Sequence, residues 1–558
     1  ISSNVIWGNT IQSKYDNPYF APSTNVNGRI QKINTESMRT NNVQTLTYTN
    51  SFGEHNVNAM IGHEYYKTTT KYLSATATGG FSPEIQEINA FATKQTSAGY
   101  KQAYNVEGYF LSGQYDYAGK YFGSVSYRRD ASSRFAKDHR WGNFWSVGGA
   151  WIINKDFLQD KAWVNMLKLK ASLGQQGNDN IGNWNYINTY DIAPSSPTDM
   201  APSFRNFGNE EITWETTTNL NIGVEFGLFG NRLNGSVDFY NKKTTDLLFW
   251  ISIPESMGAR GYYGNLGDIR NTGVEVQLNG GIIRNKLVSW DINLNFTHNQ
   301  NRILKLPESK TLNLGGFSQS DASRTVTSWY HEGGSMYELF LPEVAGLTED
   351  GRQLYWMDSD LCTESNGVYT SVTNRPGTKR DLTTTDPNNA TRYVQGSCLP
   401  KLYGGFSSTL KVGPVDMSVA FDYQIGGKMF DTRYMNYMDP NSGPNGSNWH
   451  KDWANSWSAT NTSSDIPRWQ YGDSYTVYKS NRFLTDASYL NFASFNVGYT
   501  LPSFWKEISN LRVYVQGENL CYWSKRKGFD PRYSYTSAAS VSAYNPIRNI
   551  SGGIQVNF

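Results

Sequence analysis

Trp449, Trp453, Trp457 and Trp469 recur over a short, otherwise polar stretch, with Tyr471 close behind the last of them. Flat apolar rings of this kind can stack on the faces of sugar rings, while the Asn, Ser and Asp residues around them can hydrogen-bond hydroxyl groups. Indole also packs against its own loop or settles at a membrane interface. Two readings therefore stand for these five residues: contact with a ligand or protein partner, or self-packing of a long loop.

Other constellations fail on spacing. HEYYK at His63 and HEGGS at His331 each lack the second His that a zinc-protease helix requires. There is no GxSxG turn to present a nucleophile and no GxxxxGK[ST] loop to cradle a phosphate. Asp358, Asp360 and Glu364 cluster without the spacing and central Gly of a calcium loop, and read as a solvated loop. No catalytic residue, metal or cofactor is expected, and the chain reads as a non-enzyme. Its three cysteines, Cys362, Cys398 and Cys521, form no CxxC. Cys362 and Cys398 share one long connection and are the pair that could bridge if it faces an oxidising space.

The elements that must position such loops are legible from the end of the chain. Gly553-Ile554-Gln555-Val556-Asn557-Phe558 alternates strictly, and strand side chains flip at every residue. Ile554, Val556 and Phe558 thus share one face and Gln555 and Asn557 the other. A soluble protein gains nothing by ending on a clean strand with an exposed Phe. The closing strand of an outer-membrane barrel shows apolar residues to lipid and polar ones to the lumen. The same period runs through Val415–Ile425, Val288–Phe296 and Leu220–Phe226. Tyr109, Leu111, Tyr115 and Tyr117 repeat it against Ser112, Gln114 and Asp116. Strands of about 10 residues suit a tilted membrane crossing, whereas soluble strands average nearer 5–6.

Composition agrees. Aromatic residues make up 15% of the chain although its mean hydropathy is −0.57. No run of ~18 apolar residues is present, which excludes a helical span but not a strand barrel. Lys+Arg (50) and Asp+Glu (48) nearly balance, so nucleic acid is not an expected partner.

Connections sort by parity. Short ones fall at Phe52–Glu54, Ala118–Lys120, Asn154–Lys161, Phe229–Asn231, Arg284–Lys286, Val412–Pro414 and Leu501–Asn510. Between them lie long ones, at Thr69–Tyr104, Gly177–Thr213, Trp250–Asn271, Leu306–Lys401, Gly427–Thr485 and Trp523–Asn549, with Arg134–Trp141 the shortest on that side. Barrels keep short turns in the periplasm and long loops outside the cell. The pass gives about 15 crossings, or about 17 if Leu306–Lys401 hides a hairpin, with at most one weak strand before Asn41. A phase slip within Leu490–Tyr499 predicts a bulge near Ala493-Ser494. The expected fold class is all-β, a transmembrane antiparallel barrel. An odd count starting in mid-pattern, with no signal peptide at Ile1, implies a chain truncated on its N-terminal side.

The sequence also carries a family pattern. WETTTNLNIGVEFGLFGNRLNGSVDFYNKKTTDLLF from Trp214 is followed by GYYGNLGDIRNTGVEVQLNGGIIRNKLVSWDINLNFTHNQNRI from Gly261 and GSCLPKLYGGFSSTLKVGPVDMSVAFDYQIGGKMFD from Gly396. WANSWSATNTSSDIPRW, DASYLNFASFNVGYTLP and LRVYVQGENLCYWSKRKGFDP complete the series. In order and spacing these segments resemble the C-terminal part of the SusC/RagA family of TonB-dependent outer-membrane transporters of Bacteroidetes. The match covers most of Trp214–Phe558, and the first 200 or so residues fit by topology alone.

The resemblance implies that residues 1–558 are the C-terminal part of one transmembrane β-barrel domain of about 22 strands. The N-terminal plug, the energy-coupling box and about seven first strands would lie upstream. It implies energised import of a large nutrient, an oligosaccharide or in some members a peptide. A SusD-like lipoprotein would cover the long loops, and TonB would act through the missing N-terminal region. The setting would be the lipid of a bacterial outer membrane, with the C-terminus periplasmic and the long loops extracellular. Ile554, Val556 and Phe558 resemble the terminal signal read by barrel-assembly machinery. Rival readings are a passive porin, a non-transporting surface adhesin or assembly scaffold, and a soluble Tyr-rich glycan-binding module.

Overall fold

The computed structural model describes residues 1–557 apart from 20–25, 195–198, 254, 260, 308–314, 320–325, 366, 373, 442–447, 474, 503–507, 527, 529 and 534–545. Phe558, third of the apolar residues expected on the closing strand, lies outside the described residues. Sixteen strands form one main sheet, and their order in the sheet is their order in the chain. They are β1 (Ser2–Asp16), β2 (Arg29–Phe52), β3 (His55–Gly80), β4 (Phe91–Tyr117), β5 (Tyr121–Ser132), β6 (Trp141–Ile152), β7 (Val164–Asn178) and β8 (Glu215–Leu228). The series continues with β9 (Leu233–Thr245), β10 (Asp268–Arg284), β11 (Val288–Lys305), β12 (Leu402–Val412), β13 (Val415–Ile425), β14 (Tyr489–Leu501), β15 (Asn510–Ser524) and β16 (Asn549–Asn557).

Alternation sets the register. In β13, Val415, Met417 and Val419 lie opposite Tyr499, Val497 and Phe495 of β14, while Asp416, Ser418 and Ala420 face Gly498, Asn496 and Ser494. A slip of one residue would exchange the two faces, so the apolar pattern permits one pairing. Ile554 and Val556 of β16 lie opposite Val513 and Leu511 of β15, and Gln555 lies opposite Arg512. The expected bulge is present: pairing steps from Phe492 to Ser494 on both flanks of β14, leaving Ala493 unpaired.

One expectation is corrected and two are resolved. The residues before Asn41 add one strand, β1, together with the first half of β2, paired from Ser2 opposite Val43 to Asp16 opposite Arg29. Polar residues of β1 fall on both parities, which dilutes its alternation. Thr69–Tyr104 is mostly strand: β3 runs to Gly80 and β4 starts at Phe91. These strand ends are rich in Thr, Ser, Ala and Lys on both faces, so no apolar period marks them. Residues 306–401 do hold short strands, but these pair among themselves and add none to the main sheet.

The chain divides into two compact units. The first comprises Ile1–Ala150, Ser172–Thr218 and Thr244–Leu266. A small core of Phe135, Ile181 and Ile212 packs there with Tyr186, Trp214, Leu248 and Tyr263. Trp214, which opens the family pattern, sets its ring 5.5 Å from Phe135 and donates its Nε1–H to the Arg140 carbonyl at 2.8 Å. The second unit comprises Trp151–Ala171, Asn219–Lys243 and Gly267–Phe558. Its two long connections share one hydrophobic core: Val326, Leu339, Leu341 and Cys398 from the first interlock with Phe430, Met438, Ile466 and Phe483 from the second.

Candidate functional site

Registers on the polar face of the second unit bring together side chains that are far apart in sequence. Tyr403 of β12 lies opposite Gln424 of β13, which lies opposite Tyr489 of β14. One pleat along, Asn295 of β11 faces Gly405, Gly405 faces Asp422, and Asp422 faces Asn491. Asn491 donates its amide N–H to Asp422 Oδ1 at 2.7 Å. On β9, the Tyr240 hydroxyl reaches across β10 and donates to Asn299 Oδ1 of β11 at 2.9 Å. It can do so because β10 carries Gly273 at the crossing, where a Cβ would strike the Tyr240 phenol. The same device recurs at Gly498, over which Arg512 of β15 reaches Asp416 of β13, its Nε 2.9 Å from Oδ1.

Of these, Tyr240, Asn295, Asn299, Tyr403, Asp422, Gln424 and Tyr489 line a cavity of about 860 Å³. Tyr240, Tyr403 and Tyr489 supply rings; Asn271, Asn295, Asn299 and Gln424 supply amides; Glu275, Asp422, Lys242 and Arg532 supply charge. Tyr337, Leu399 and Pro400 of the first long connection complete the lining. Lys242 holds its ammonium 5.0 Å over the Tyr240 ring, and Arg532 is engaged bidentately by Asp530 at 2.8 and 2.6 Å. The volume falls within the roughly 300–1,000 Å³ of ligand clefts. Aromatic faces beside amides and carboxylates suit a polar ligand that has both flat faces and hydrogen-bonding groups, and nothing in the set is arranged as a nucleophile with its base.

The residues singled out from sequence divide in two. Trp449, Trp469 and Tyr471 are exposed, with Trp449 edge-on to Trp469 at 5.4 Å and its Nε1–H donated to the Asp439 carbonyl at 3.1 Å. Trp453 packs on the shared hydrophobic core. Trp457 lies against Gly351, which has a φ of +80° and where the indole leaves no room for a Cβ. It also lines a second cavity of about 860 Å³ with Glu349, Asp465, Asn481 and Arg482. Arg482 donates to Gln353 Oε1 at 2.8 Å and to the Asp465 carbonyl at 2.7 Å, and burial draws its guanidinium below its usual pKa.

Cys362 and Cys398 are not joined in a disulfide. Cys398 is buried in the shared core, while the Cys362 thiol donates to the Asp358 carbonyl at 3.1 Å, and burial raises its pKa. Asp358 and Asp360 do not converge on a common point. Asp358 accepts backbone N–H groups from Asp360, Thr378 and Lys379, and Asp360 pairs with Lys379 at 2.7 Å. Burial raises the Asp358 carboxyl, but the three N–H donors outweigh it and hold the net pKa below the usual range. No His, Cys, Asp and Glu cluster able to hold a metal occurs among the described residues.

Sequence reasoning missed the polar-face cavity. Its residues come from separate strands, and only the hydrogen-bond register aligns them. The one local signal was glycine on a polar parity, as at Gly273, where a neighbour's side chain needs room to cross.

Comparisons with known proteins agree with the strand architecture. The family described as TonB dependent receptor-like, beta-barrel matches residues 2–520. TonB-dependent receptor P3 of Formosa agariphila is 28% identical over 548 residues, covering 92% of this chain and 52% of that protein. TonB-dependent receptor SusC of Bacteroides thetaiotaomicron is 26% identical over 467 residues, covering 80% and 42%. Among solved structures, the RagAB peptide transporter superposes with a TM-score of 0.82 at 26% identity, over 100% of this chain and 59% of that one. The chain spans about half the length of the curated relatives it matches.

Proposed function

The chain belongs to the TonB-dependent receptor-like β-barrel family, and from that premise we propose that it forms the wall and surface loops of an energised outer-membrane importer. The cargo is a large nutrient, an oligosaccharide or a peptide. The two classes have separate support: stacking faces beside amides favour sugars, and the RagAB relative is a peptide transporter. Short turns lie in the periplasm, the long connections face outward, and the C-terminus is periplasmic. A SusD-like lipoprotein covers the loops, TonB supplies the work through a plug, and the chain carries out no covalent chemistry. Trp449, Trp469 and Tyr471 are the exposed rings available to ligand or lipoprotein.

The polar-face cavity carries this reading. A passive pore needs a lined channel, whereas this sheet gathers tyrosines and amides into one cleft. The test is uptake in cells whose only copy carries Tyr403→Ala with Tyr489→Ala. Uptake of the natural oligosaccharide or peptide should fall while the protein reaches the outer membrane at its normal level. Unchanged uptake removes the cavity from the transport route. Solute flux that persists without TonB would replace the importer with a porin.

A further inference from the structure

On the first unit, the exposed face of β2–β5 carries Leu46, Ile61 and Leu111 between two polar–aromatic rows. The row beside the short turns joins His55, Tyr115, Tyr117 and Tyr121. His55 Nδ1 lies 2.7 Å from the Tyr115 hydroxyl, and Tyr117 stacks on Tyr121 at 6.3 Å. In the other row, His63 Nδ1 lies 2.7 Å from Gln44 Oε1, and the Tyr109 hydroxyl donates to Glu107 at 2.8 Å. Tyr109 stacks on Trp141, over which the Arg129 guanidinium sits at 4.9 Å. Along β3 the step from His55 to His63 rises about 27 Å. At the tilt of barrel strands that is roughly 20 Å of height, close to a lipid-facing band.

The surface between the rows is grooved. A cleft of about 550 Å³ runs over Leu46, Ile61, Leu111 and Tyr127 and opens at Gln44 and His63. At the level of that opening stands Arg129, opposite Tyr109. Beyond it on the same face follow Lys67, Lys71 and Lys101, all exposed. Among the residues paired with these positions the one carboxylate is Glu36, which is taken by Lys71 at 3.2 Å, while Glu107, two residues from Tyr109 on the same strand, accepts from the Tyr109 hydroxyl. Lys71 and Lys101 lie directly opposite each other, and Glu36 offsets one of the two charges.

We infer that this groove holds an acyl chain of a membrane lipid whose anionic headgroup rests against Arg129 and Lys67. The apolar cleft fixes the chain, and the excess of cations beyond its mouth selects the headgroup. The inference rests on the reading of this face as membrane-embedded.

The test uses the native protein extracted from outer membranes and equilibrated with phosphatidylglycerol or phosphatidylcholine. Native mass spectrometry then counts the lipid retained. Phosphatidylglycerol should be retained in preference, Arg129→Gln should cut that preference about fivefold, and Arg129→Lys should preserve it. Leu111→Trp, which fills the cleft, should abolish retention of both lipids. Equal retention of the two lipids by the unaltered protein overturns the inference, as does a preference that survives Arg129→Gln combined with Lys67→Gln. Release from membranes without detergent is a separate outcome, which removes the membrane reading itself and the inference with it.

Discussion

Val419 of β13 is half-buried on a sheet one residue thick, while Phe430, a short way along the chain, has no exposed surface at all. The second unit thus combines two kinds of construction. Its strands are held by ladder hydrogen bonds and by the sorting of side chains to two faces. Its two long connections are held by a sealed core, in which Leu339, Leu341, Phe430 and Phe483 are nearly or fully buried. A chain whose strands face lipid has little use for buried apolar volume, because lipid solvates the outer face. A chain that must keep a fixed shape in water needs a core.

The largest expected effect comes from breaking that core. Phe430→Ala should cost about 3–5 kcal/mol, the usual range for a buried Phe, and leave the connections open to protease. The same truncation at Phe406, which is 37% exposed and stacked on Phe421 at 4.7 Å, should cost no more than about 1.5 kcal/mol. Limited proteolysis with gel mobility of the unheated protein separates the two. Loss of the folded mobility in Phe430→Ala would show that the sheet depends on the connections after all.

A charge placed on the outer face tests the other half of the comparison. Val419→Lys should cost about 2–4 kcal/mol in bilayer-folding titrations, while Ser418→Lys, on the polar face, should lie within about 0.5 kcal/mol of the parent. Equal costs would mean that the two faces are not sorted as the register implies. Gly273→Ala is a local perturbation. Its added Cβ meets the His298 carbonyl as well as the Tyr240 phenol, so it strains the β10–β11 pairing besides removing the Tyr240–Asn299 hydrogen bond, about 1 kcal/mol, and should weaken ligand binding at least about fivefold by calorimetry. Gly552→Ala, whose added Cβ makes only ordinary contact, is the control and should change nothing.

Acid should distinguish the two constructions most gently. The Arg380 guanidinium holds the Glu343 carboxyl below its usual pKa, and Asp358 is likewise low for the reason given above. Both groups have folded pKa values below their unfolded ones. Their contribution is therefore complete above about pH 5 and is lost progressively as pH falls below about 4 and through their lowered folded values. Protease should cut the connections progressively faster below about pH 4 while the sheet's mobility holds. Cutting rates that do not change with pH would rule these carboxylates out as stabilising groups.

How much could be read in advance follows the same division. Where lipid demands apolar residues at every second position, as in β13, the strand, its turn and even the bulge at Ala493 were legible. Where the apolar period lapses, the strand goes unmarked, so the end of β3 and the start of β4 read as loop. The connections follow no period because their short strands are fixed by a core assembled from distant residues. Trp453 and Trp457 therefore could not be told from Trp449 and Trp469 until the packing was known. The cavity tyrosines were least legible, since nothing local marks a residue as the neighbour of one several strands away.

The shared core of the two connections also constrains how this protein can diversify. Phe430 and Phe483 meet Leu339 and Leu341 across separate segments, so a change of volume in one is felt in the other. Neither segment can be exchanged alone between relatives without leaving a void or a clash. Specificity in this lineage should therefore move by paired replacement, with residues 306–401 and 427–485 inherited as a unit while the strands around them drift separately.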